Sequence, residues 1–229
     1  MTQLFGNTSG LSPLATQKLE RIYRRRVPLD TIATPEMVRS LCEASHEASR
    51  QVGALVHRSG QVDYVIVGDS NRLVLPDLGR LRATSGRFRG LRLVHTHLHG
   101  EPLSHDDLAD LVRLRLDMVV ALQLNPAGEP RAVSYAHAIP NQSHGPPYLI
   151  IGPDHPSRLR DDFGNLISNL EREFARHTNS HALVAQTERA ILVQVGSKAD
   201  RDGFQRMEVS LRELRELART AGVEIVDTL

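Results

Sequence analysis

Apolar residues along this chain follow two rhythms, a helical spacing of three and four and short unbroken runs, and each change of rhythm marks an expected element. Leu14, Leu19 and Ile22 form one side of a helix opened by Pro13, which ends in Tyr23, Arg24, Arg25 and Arg26 ahead of Pro28. Thr34, Pro35 and Glu36 read as an N-cap, a helix-opening proline and an acidic first turn. The helix they open is expected to run to about residue 51, with Val38, Leu41, Cys42 and Ala48 inward. Apolar runs at 52–56 and 62–67 flank His57, Arg58, Ser59 and Gly60, which is hairpin chemistry, and the weakly alternating second run reads as a central strand. Residues 73–76 read as a short edge segment, because the proline there lacks a donor.

Leu91, Leu93 and Val94 begin the next strand, Gly100, Glu101 and Pro102 break it, and Ser104 opens a helix carrying Leu108, Leu111, Val112 and Leu116 at helical spacing. The unbroken run 118–124 reads as a buried strand, 125–128 as a turn and 132–138 as a return strand. Residues 141–156 are dense in Pro, Gly, Asn and Ser and read as a linker despite Tyr148, Leu149, Ile150 and Ile151. The stripe Phe163, Leu166, Ile167, Leu170 and Phe174 predicts an amphipathic helix over 159–177 that needs a packing partner. A strand at 188–195, a helix at 210–221 and a strand at 223–226 make one βαβ unit, too small to bury its own faces.

Together these predict an α/β or α+β chain with a mixed sheet. The expected divisions are a helical segment at 1–40, an α/β domain at 41–140, a linker and amphipathic helix at 141–184, and the start of a second α/β domain at 185–229. A net charge of +1 over 229 residues commits the whole chain to neither nucleic acid nor membrane. The single cysteine, Cys42, excludes an internal disulfide. No run is long enough to span a bilayer and no signal peptide is evident, so a cytoplasmic protein is expected.

Candidate chemistry is concentrated at 91–117. His95 and His97 alternate at a strand end and so point the same way, and a carboxylate on the first turn of the following helix reaches the same point. Two imidazoles and one carboxylate make a three-ligand site for zinc with room for a water. The same residues also suit plain helix capping, with Ser104 as N-cap and Asp106 and Asp107 complementing the helix dipole. Two basic groups stand out: Arg24, Arg25 and Arg26, and Arg80, Arg82, Arg87, Arg89 and Arg92 around Phe88. Each reads either as a phosphate-gripping RNA surface or as a solvated charge run. His46 and His137 read as structural.

The stretch HTHLHGEPLSHDD resembles the JAMM (MPN-type) metalloprotease signature, His-x-His-Pro, six residues, Ser-x-x-Asp. The resemblance implies His95, His97 and Asp107 as metal ligands and Ser104 as the active-site serine. The spacer from His97 to Ser104 is one residue short, and Leu98 replaces the proline. The glutamate that serves that family as base falls at Gln51, and an amide accepts no proton. Glu43 and Glu47 are the nearest carboxylates upstream. An MPN-like domain with a degenerate site is therefore expected, with metal binding or hydrolysis as the alternative function.

ERAILVQVGS with SLRELRELARTAGVEIVDTL is similar to the opening of the N-terminal domain of HflX-type GTPases, which are bacterial and ribosome-associated, and the upstream region resembles the extension some of them carry. No Gly-x-x-x-x-Gly-Lys-Ser/Thr loop occurs, so any GTP binding belongs to a domain absent here. The resemblance implies a non-catalytic front module with no nucleotide site of its own. Its expected partners are large-subunit ribosomal RNA and a GTPase domain of the same or another chain, with neither membrane nor DNA.

Overall fold

The computed structural model describes residues 3–79, 88–140, 145–184, 188–193 and 201–228. The chain divides into two compact units, 1–177 and 178–229. In the first unit the strands are β1 (Leu4–Gly6), β2 (Val52–His57), β3 (Val62–Val67), β4 (Leu91–His97), β5 (Met118–Leu124), β6 (Pro130–Ala138) and β7 (Tyr148–Asp154). They form one mixed sheet in the order β1-β3-β2-β4-β5-β6-β7. β1 with β3 and β4 with β5 run parallel, and the other neighbours are antiparallel. This is the α/β class that the pattern predicts.

Helices α1 (Pro13–Ile22) and α2 (Pro35–Ala48) cover one face together with α4 (Phe163–Val184), through Leu19, Ile22, Leu41, Phe163 and Ile167 against Val52, Val94 and Val120. Helix α3 (His105–Arg113) covers the other, through Leu108 and Leu111 against Leu55, Leu93 and Val119. β4 sits at the centre of the sheet and all of its residues are buried. Alternation along β4 sends Val94 and Thr96 toward α2 and Leu93, His95 and His97 toward α3.

The local signals hold where they are local. Ser12 and Thr34 cap α1 and α2 by accepting from Ala15 and Met37 amides, each with proline opening the helix. α2 stops at Ala48 because Ser49 turns left-handed at φ 50°.

Several boundaries differ from the expectation. Residues 1–40 are no separate segment, since Leu19, Ile22, Val27 and Ile32 lie in the same core as Val52. β1, unread in the sequence because it is three residues long, covers the outer edge of β3, so β3 is an interior strand with a neighbour on each side, as its weak alternation suggests. Residues 73–76 form no strand; Leu73 and Leu75 instead pack over the α3-side core. Within the linker region, β7 pairs with β6 and closes the sheet at that edge. Its Leu149 and Ile150 are exposed, which removes the alternation that would have announced a strand.

Two buried charges brace the first unit. Asp117, fully buried, accepts from Arg58 Nε at 2.6 Å and from the Gly90 amide at 2.8 Å, and Arg58 also pairs with Glu171 of α4 at 2.9 Å. Arg92 is fully buried, lies 4.2 Å over the Phe163 ring and donates to the Val27 and Pro28 carbonyls. Burial pulls its guanidinium down to about 10.

In the second unit β8 (Glu188–Leu192) and β9 (Val223–Thr228) pair in parallel, joined by α5 (Arg201–Thr220). This is the expected βαβ unit, with a helix that begins earlier than the 210 predicted. Among the described residues no helix is long and apolar enough to cross a membrane.

Cys42 lies buried on α2, and burial pushes its thiol up to about 12. The fold thus favours the neutral thiol, and that contribution is intact below about pH 8.5 and is lost as pH rises from there toward 12. Cys42→Ala is expected to flatten the alkaline fall in stability over about pH 9 to 11, read by denaturant titration at each pH.

Candidate metal centre

The centre is built where β4 runs out and α3 begins. Ser104 caps α3 in a capping box: its hydroxyl accepts from the Asp107 amide at 3.2 Å, and Asp107 Oδ2 accepts from the Ser104 amide at 2.7 Å and its hydroxyl at 2.8 Å. That arrangement turns the carboxylate back toward the strand. Asp107 Oδ1 lies 3.1 Å from His95 Nε2, Oδ2 lies 3.4 Å from His97 Nε2, and the two Nε2 atoms are 2.8 Å apart. Capping and convergence on the histidines, which the sequence offers as alternatives, coexist because the two carboxylate oxygens divide the work. Asp106, the other first-turn acid, pairs instead with Arg72 at 3.1 Å. His99 and His105 are exposed and outside the group.

The donor set passes a geometric test for zinc. Tetrahedral zinc with bonds of about 2.0–2.1 Å needs donor atoms roughly 3.3 Å apart. The observed separations of 2.8, 3.1 and 3.4 Å need adjustments of half an ångström or less. His97 Nδ1 lies 2.9 Å from the Glu101 carbonyl, which only accepts, so Nδ1 carries the proton and Nε2 offers its lone pair to the centre. His95 Nδ1 is buried and has no hydrogen-bond partner among the described residues. Oδ1 is the free ligand oxygen of Asp107, and Ser104 holds Oδ2 from behind.

The electrostatics match. Burial alone raises the Asp107 carboxyl, but the two imidazoles and the Ser104 amide outweigh it and hold it well below the usual carboxylate range. Burial alone lowers an imidazole, yet the contacts of His97 with Asp107 and the Glu101 carbonyl leave it raised.

Compared with protein-family models, curated proteins and solved structures, the chain gives no match. The functional reading rests on the residues themselves.

Hydrolysis needs a base at the metal-bound water. Gly53 pairs directly with His95, and alternation puts Gln51, buried just before β2, on the same face. Gln51 supplies no base. The upstream carboxylates are on the wrong side, since α2 packs on the opposite face: Ser45 of α2 meets Thr96 of β4 at 2.8 Å, Glu47 pairs with Lys18 at 2.8 Å and Glu43 lines a cleft beside α2. Gly53 offers nothing either, because a Cβ there would meet Leu73 Cδ2 at 2.6 Å.

The basic groups fare differently from the sequence reading. Arg92 is sealed in the core and unable to meet a phosphate, because it lies on the inward face of a central strand. Arg89 spends its guanidinium on the carbonyls of Leu114, Leu78 and Gly79, and Phe88 packs edge-on against Phe174 at 5.2 Å rather than offering a stacking face. Arg80, Arg82 and Arg87 lie outside the described residues. Arg24 and Arg26 are exposed, whereas Arg25 is half-buried with its Nε unpartnered among the described residues.

Proposed function

We propose that this chain is a non-catalytic, metal-binding module in which His95, His97 and Asp107 hold one zinc ion. The observation that carries this reading is the convergence of three donor atoms at zinc-like spacing with an amide, Gln51, where a base would be required. Bound zinc would tie the end of β4 to the first turn of α3 and fix the surface between them. Zinc titration followed by elemental analysis tests this, alongside peptide and isopeptide hydrolysis assays. Retention of zinc with background hydrolysis supports it; metal far below one per chain, or hydrolysis abolished by His97→Ala, overturns it.

The resemblance to HflX-type N-terminal regions supplies the setting, a front module that docks on the large ribosomal subunit or steadies a GTPase domain. The exposed pair Arg24 and Arg26 favours RNA docking as a second reading. Co-sedimentation with large ribosomal subunits is expected to weaken steeply with salt, and the double Arg24→Ala, Arg26→Ala variant to lower the logarithmic salt slope by roughly two. Binding indifferent to salt would remove this reading.

A further inference from the structure

We propose that the cleft beside α2 is a binding site for a small organic anion, a phosphate or carboxylate carried on an apolar body. The cleft is distinct from the metal centre, which faces α3, and the proposal does not rest on the metal reading. Its volume is about 760 Å³, within the range of small-molecule sites.

Its walls are fixed without a ligand. The turn after β5 is braced by Asn125 Oδ1, which accepts from the Ala127 and Glu129 amides at 3.0 and 2.9 Å. The 3-10 turn Pro156–Arg160 is tied down through the Leu159 carbonyl, which accepts from the Ile32 and Ala33 amides at 2.8 and 3.1 Å. The third wall is α2 itself. Between them Ala33, Val38 and Cys42 make a buried apolar floor.

Arg39 from α2 and Arg160 from the 3-10 turn both line this floor, and neither has a hydrogen bond or ion pair among the described residues. Lys18 is balanced by Glu47 at 2.8 Å, and Glu129, which keeps its charge, accepts from Asn125 Nδ2 at 3.1 Å. Glu43 and Glu129 therefore balance the two arginines in charge, and what the arginines bring to an anion is uncommitted guanidinium N–H donors. Guanidinium forks match the planar donors and acceptors of phosphate and carboxylate. An apolar floor beneath them favours an anion with an aromatic or aliphatic body over a bare ion.

The test titrates the full chain with phenyl phosphate and with benzoate by calorimetry and NMR, using inorganic phosphate and benzylamine as controls. Saturation by either aromatic anion, with resonances of Cys42 and His46 shifting, supports the site and assigns its head group. Arg39→Gln and Arg160→Gln are each expected to weaken binding about tenfold, the effect of losing a charge-assisted hydrogen bond. Arg113→Gln, outside the cleft, is expected to change nothing. Both cleft arginines are exposed, so an unchanged melting temperature shows that the variants fold. The proposal is overturned if neither aromatic anion saturates, if inorganic phosphate or benzylamine binds as tightly, or if the double variant binds undiminished.

Discussion

His97→Ala is expected to strip zinc from the protein, taking it from about one ion per chain to less than a tenth of that after brief dialysis. Three donors define the centre, and removing one leaves an imidazole and a carboxylate that water readily displaces. Ser104→Ala makes the informative comparison. Its hydroxyl holds Asp107 Oδ2 from behind without reaching the ion, so affinity should fall by about ten- to hundredfold rather than vanish. The same change removes the N-cap of α3 and should cost about 1 kcal/mol of stability even without zinc. Measuring stability and zinc affinity separately divides the two roles.

Acid should weaken zinc binding with a defined sign. His97 is raised above an ordinary imidazole, so protons compete with zinc as pH falls through neutrality, whereas Asp107 stays ionised well below that range. In the zinc-free protein the two groups act oppositely on stability. The His97 contribution is present below about pH 6.5 and is lost as pH rises through its raised value; the Asp107 contribution is present above about pH 3.9 and is lost on deep acidification. A zinc affinity independent of pH between about 5 and 8 would exclude His97 as a ligand.

Arg58→Met is expected to destabilise the first unit by about 3 kcal/mol or more, measured by urea unfolding. The mutation leaves Asp117 buried with the Gly90 amide as its one remaining hydrogen-bond donor among the described residues. Burial already raises the Asp117 carboxyl despite Arg58 and the Gly90 amide, which both pull it down, so little compensation remains to lose. Asp117→Asn should be milder, because the buried charge is gone and the amide oxygen still accepts from one of the two donors, which reach different carboxylate oxygens, while Arg58 keeps its pairing with Glu171. The reverse ranking would mean that the Arg58 contact contributes little in solution. Restoring the loss in Arg58→Met by acidification would identify the stranded carboxylate as its cause.

Much of the centre was legible in the sequence for a simple reason. His95 and His97 share a face by strand alternation, and Ser104 followed by Asp106 and Asp107 reads as an N-cap with an acidic first turn, a pattern confined to one turn. Neither inference requires a distant part of the chain. What local pattern could not rank was Asp106 against Asp107, since both suit the first turn; Arg72, brought in by the loop after β3, takes Asp106 and leaves Asp107 for the histidines. Nor could it reveal that His97 donates to the Glu101 carbonyl, which depends on how the strand end folds back.

By itself, the sequence determined the α/β class, the starts of α1, α2 and α3, the central strands β4 and β5 and the terminal βαβ unit. Each of these announces itself by a cap, a spacing or an apolar run confined to a few residues, so composition and spacing suffice even where, as in β4 and β5, the strand partners lie far away in the chain. The tertiary structure alone decided which arginines face water. Charge on a chain is ordinarily read as surface, but Arg92 falls on the inward phase of a strand covered on both sides, and only the packing of α1, α2 and α4 seals it in. It also decided that β1 and β7 complete the sheet, and it assembled the cleft beside α2 from segments more than a hundred residues apart. Contacts over such separations leave no period in the sequence, because they arise from how whole faces meet rather than from the order of neighbouring residues.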